Sequence, residues 1–144
     1  MEKNKKELKS FSILILALVG LTLIRSIVTV CIKGIPQSTE IPEGMTKELV
    51  QIVAIIAFAV GFVILIPQIY IGVKGILIAN GAESGKAHII WAIILLICSG
   101  IAVISGISDL VKAFDIYAVL DLLGPIIDCA VFAFYYIYAR KVAQ

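Results

Sequence analysis

The sequence predicts an all-α integral membrane bundle of four transmembrane helices, with the N-terminus and C-terminus both cytoplasmic. Three observations carry that prediction. The chain has 144 residues, 61% of them hydrophobic and 15% charged, with a mean hydropathy of +1.10. An average soluble domain is about 45–50% apolar and about 25% charged. A chain this short and this apolar has too little polar surface to face water, so one membrane-embedded domain over 1–144 is expected. Second, four runs nearly free of charge occupy 11–32, 49–73, 87–108 and 116–139. Each meets the roughly 17–25 residues that cross a hydrocarbon core of about 30 Å. None alternates in polarity as a barrel strand does, and a lipid-exposed backbone must satisfy itself as a helix. Third, the basic residues are sorted. Lys3, Lys5, Lys6, Lys9, Lys74, Lys86, Arg140 and Lys141 fall on one side of the predicted spans. Lys33, Lys47 and Lys112 fall on the other, which places both ends of the chain inside.

The run 11–32 follows a lysine-rich start, as a signal peptide does. It is too long for one, Arg25 interrupts it, and no small-x-small cleavage site follows, so a retained helix is expected. Its polar residues Thr22, Arg25, Ser26, Thr29 and Lys33 recur at spacings of three and four and share one face. The connection 33–47 contains two prolines and two glycines and reads as an irregular turn.

The run 49–73 holds Ala57 and Gly61, small residues four apart that let helices approach closely. Its distinctive stretch is "ILIPQIYIGVKG", residues 64–75. Pro67 removes a helical hydrogen bond to the carbonyl of Val63, so a kink is expected there, and Gln68 is placed to pair across helices. Gly72, Lys74 and Gly75 read as the helix leaving the membrane, with the lysine reaching for headgroups.

The run 87–108 repeats the small-residue spacing at Ala102 and Gly106. Lys86, His88 and Trp91 at its start read as interfacial anchors. The preceding "GAESGKA" has the wrong glycine spacing for a phosphate loop, lacks Ser or Thr after the lysine, and follows no strand. One histidine without clustered partners gives no metal site, and three scattered cysteines without C-x-x-C give no redox pair.

The run 116–139 carries Tyr117, Asp121, Gly124, Asp128 and Tyr135 on one face. At about 1.5 Å per residue, Arg25 lies roughly 22 Å above Ser10 and falls in height between Asp121 and Asp128. Charges at that depth are costly unless they pair or meet water. Pairing of Arg25 with one or both aspartates is expected, and with it the adjacency of the first and last helices. The two aspartates lie about 10 Å apart along one helix, too far to share a scissile bond. No enzyme and no cofactor are expected. Net charge is +2, with basic residues at the membrane boundaries rather than on a nucleic-acid surface.

"IPQIYIGVK", followed by a short inner loop and a returning helix, resembles the Pro-Gln element of PQ-loop transporters. Small bacterial sugar-transporting members of that family have three helices and act as dimers. The resemblance implies that residues 48–141 form a comparable unit, with the first helix additional and Pro67–Gln68 as a hinge. "IYIGVKGILIANGAESGKAHIIWAIIL" is similar to a pattern in small bacterial four-span membrane proteins, which implies no activity.

Two readings of function follow. In the first, the chain is a transporter or channel subunit acting as an oligomer. Arg25, Asp121, Asp128, Thr22, Thr29 and Tyr135 then form a polar seam along the pathway. In the second it is a non-catalytic accessory, immunity or scaffold protein that binds another membrane protein, and the same charges are structural. The lipid bilayer is a partner in both.

Overall fold

A computed structural model describes residues 2–33, 44–82, 84–112 and 116–144, less the side chains of Lys33, Ala57, Asp109, Tyr117, Ala118 and Leu120. Among the described residues there are four helices: α1 (Glu2–Lys33), α2 (Lys47–Ala79), α3 (Ala87–Lys112) and α4 (Ile116–Ala143). Each contains a stretch long and apolar enough to cross a membrane. The chain is a small all-α multi-pass membrane protein. Helices adjacent in sequence pack together, and α4 returns to α1, closing a four-membered ring. The α3–α4 and α1–α2 interfaces are the most extensive, and α2–α3 is the smallest of the four around the ring. Most of the irregular turn expected over 33–47 lies outside the described residues, as do Glu83 and 113–115.

Every helix outruns its apolar segment. The first starts at Glu2, so the lysine-rich leader is helical. The second continues past 73 to Ala79. Its true end is the Asn80–Gly81 pair. The Gly81 amide donates to the Ile78 carbonyl at 3.0 Å and the Ala82 amide to Leu77 at 2.9 Å. Gly81 takes φ +76°, the left-handed conformation such a cap requires. At the other end of α2, Thr46 accepts from the Leu49 amide at 3.3 Å, a conventional N-cap.

The continuation of α2 gives Gly72 and Gly75 a packing role in addition to their place near the end of the apolar run. Both are buried within the helix, where it meets α1 and α4. A Cβ at Gly75 would collide with Ser12 Oγ and the Tyr135 ring, and one at Gly72 would press on the Leu16 side chain. The other small residues divide. Gly106 faces Leu122 of α4 closely enough that a Cβ would stand 2.7 Å from its Cδ1, whereas Gly61 meets nothing within 4 Å.

The core lies at one end. Leu8, Ile15, Ile71, Ala92, Leu95, Val131, Phe132, Tyr135 and Ala139 form a single buried cluster. All lie in the half of the bundle that carries the two termini. Phe11 extends this packing by stacking on Phe134 and Tyr138, with centroids 5.4 Å and 5.7 Å apart. In the opposite half, apolar side chains such as Ile104 and Val111 are 70% and 81% exposed.

Candidate functional site

Midway along the bundle, α1 and α4 part to form an open groove of about 210 Å³. Leu18, Leu21, Thr22 and Arg25 line it from α1, and Gly124, Ile127 and Asp128 from α4. These are positions one helical turn apart on each element, which is why the polar residues fall on one wall. Gly124 supplies the opening, since a Cβ there would meet nothing within 4 Å. Thr22 satisfies its hydroxyl locally, donating to the Leu18 carbonyl at 2.9 Å. Arg25 is exposed and Asp128 is half-buried.

The structure brings together Thr22, Arg25 and Asp128 of the expected seam. The rest lie elsewhere. Asp121 is exposed outside the groove, and Thr29 is exposed farther along α1. Tyr135 belongs to the core: it is 0% exposed, and its hydroxyl donates to the Ile71 carbonyl at 2.9 Å. It therefore ties α4 to α2 rather than lining the groove. Pro67 lies inside α2, which runs through it unbroken. Gln68 is half-buried and does not line the groove.

A second opening, of about 270 Å³, lies between α1 and α2 in the loosely packed half. Thr22, Ser26, Phe58, Gly61, Phe62 and Leu65 line it. Thr22 thus borders both openings, and Gly61 contributes space rather than a helix contact.

Two features escaped the sequence reading. Pro125 lies inside α4, where its missing N–H deprives the Asp121 carbonyl of its helical donor. The Gly-Pro pair between the two aspartates was a readable signal for it. His88, read as an interfacial anchor, is instead 2% exposed. Its ring meets the Tyr135 ring edge-on, with centroids 6.1 Å apart. Trp91, three residues on, is exposed.

No protein-family model, curated protein or solved structure matches this chain.

Proposed function

We propose that this protein is a subunit of a small membrane transporter or channel that works as an oligomer, with the α1–α4 groove forming part of a polar path. The observation that supports this is an exposed Arg25 across an open groove from Asp128, within two helices long enough to span a membrane. A charge facing hydrocarbon at the centre of a helix costs about 2.5–3.5 kcal/mol on insertion scales. A second copy, or water held between copies, removes that cost. Among the described residues the four helices are filled by their own side chains at one end and leave no through-pore within a single chain. The path then runs between copies, with Thr22, Arg25 and Asp128 on its wall and Pro67 giving α2 a place to bend. The end bearing the termini faces the cytoplasm in this reading, in keeping with the lysines and arginines gathered there.

The test is reconstitution of wild-type protein and Asp128→Asn in liposomes, with proton and cation flux measured alongside folded yield. Wild-type flux above protein-free liposomes is expected, together with its loss in a variant that folds normally. A wild type without flux, and a variant that loses only yield, would leave the accessory or scaffold role in its place.

A further inference from the structure

The end of the bundle that carries the termini holds a cavity of about 350 Å³. Lys5 of α1 and Ser84, Gly85, Lys86 and His88 from the α2–α3 connection and the start of α3 line it, and the last turn of α4 closes one side. A smaller cavity of about 110 Å³ shares the Ser84–His88 wall and reaches Lys74. We propose that this basic cavity binds a phosphate group, held by the first amides of α3, by Lys5 and Lys86, and by the His88 imidazole.

Three independent features support the assignment. The first is the helix start. An α-helix leaves its first amides without i−4 partners, and their dipoles favour an anion. In α3 the Ile89 amide turns back to the Lys86 carbonyl at 3.0 Å, so the amides ahead of it are the ones offered. The residue before α3 is Lys86, whose side chain has no acceptor with which to cap those amides. Gly85, at φ +145°, would meet nothing within 4 Å at a Cβ, so the approach to the helix start is clear.

The second is His88. Its ring is 2% exposed, and Nε2 has no hydrogen-bond partner among the described residues. Native structures rarely leave such an atom unsatisfied, and one that is points to a missing partner. The residue lines both cavities. The ring packs edge-on against Tyr135, which is itself anchored on Ile71. Either ring form suits a phosphate: a protonated Nε2 donates to a P–O⁻ oxygen, and a bare one accepts from the P–OH of a monoester.

The third is charge. Lys5 and Lys86 approach from two different elements. The carbonyl end of α4 borders the same cavity, but Arg140 and Lys141 in its last turn offset that partial negative charge. Glu83 lies outside the described residues and is not assigned to the site. The binding feature here is a cavity between helix ends rather than a nucleotide-type loop, whose residue pattern "GAESGKA" does not meet. A phosphate could come from an anionic lipid headgroup at the membrane surface or from a soluble phosphate compound.

The test uses the full chain with any affinity tag removed, so that His88 is the only imidazole in the sample. Its Cε1–H resonance is followed in a phosphate-free detergent while inorganic phosphate is titrated against chloride at matched ionic strength. A parallel series uses phosphatidylcholine vesicles with and without phosphatidic acid. A saturable shift with inorganic phosphate supports the site and a soluble source. A shift with phosphatidic acid alone supports the site and a lipid source. Lys86→Gln is expected to weaken either response about tenfold, the scale of one lost charge-assisted hydrogen bond. Lys86 is exposed and Lys5 only half-buried, so replacing them leaves the core intact. No shift with either probe would overturn the proposal. So would an unchanged response in the Lys5→Gln/Lys86→Gln double variant.

Discussion

At Gly75 a single hydrogen atom is all that the contact between α2, Ser12 and Tyr135 admits. Ser12 has turned its hydroxyl back to the Leu8 carbonyl at 2.7 Å, and Tyr135 has turned its own to Ile71, so neither side chain is free to retreat. Gly75→Leu is therefore expected to destabilise the fold by about 1–3 kcal/mol, the usual cost of overpacking. Gly124→Ala supplies the contrast. Its new methyl would point into open groove, and an alanine gains about 0.8–1 kcal/mol over glycine within a helix. Thermal unfolding in detergent should lower the midpoint for the first variant and hold or raise it for the second. Two glycines of opposite consequence look alike in the sequence. What separates them is the partner across the interface, and no local pattern states that partner. The same holds for Tyr135. Its helical spacing placed it with Asp128, and only the arrival of Ile71 from α2 explains its position.

The elements themselves were far more legible. Four apolar runs became four helices because a lipid-facing backbone has no alternative, and α1 lies beside α4 as expected. Among the described residues, however, Arg25 forms no ion pair with Asp121 or Asp128, so the adjacency rests on packing and not on the expected charge pairing. The ends were less legible, because apolarity marks where lipid stops and not where the helix stops. Helical hydrogen bonding continues into the headgroup region and beyond, as the leader of α1 does. The stop of α2 had a local signal after all, in the Asn-Gly pair at 80–81. Gly81→Ala forces a side chain into φ +76°, and a cost of roughly 1–2 kcal/mol is expected. The measurement is the unfolding midpoint of that variant. A midpoint equal to wild type would mean that the cap does not hold the helix end. Pro67 and Pro125 add a second trait at this scale. Each removes one internal bond from a helix that continues through it, so α2 and α4 each carry one interior position where bending is cheaper than elsewhere.

As a whole molecule the protein is packed at one end and loose at the other. Val50 apart, the buried apolar side chains among the described residues all lie in the half nearest the termini. Local stability follows buried contact. In detergent, backbone amides over 8–19, 88–99 and 131–139 should exchange with solvent more slowly than those over 21–32 and 101–112. Uniform protection along α1 and α3 would contradict the one-ended core, unless it appeared only under conditions where the protein is oligomeric. The polar groove begins where the tight half gives out, which is also why only part of the expected seam was assembled. Thr29 and Asp121 belong to the loose half, beyond the reach of the close α1–α4 packing.

The contact at Gly75 has a mechanical consequence. It clamps α2 near one tip, and from there to Lys47 the helix extends about 42 Å, at roughly 1.5 Å per residue. Tyr135 is the fulcrum for a tilt of α2, with Pro67 on the arm as its point of easiest bending. A tilt of about 5° at the fulcrum carries the far tip through roughly 4 Å, since the sweep is the arm length times the angle. A tilt too small to disturb the clamped end is therefore magnified into a shift of roughly 4 Å at the other.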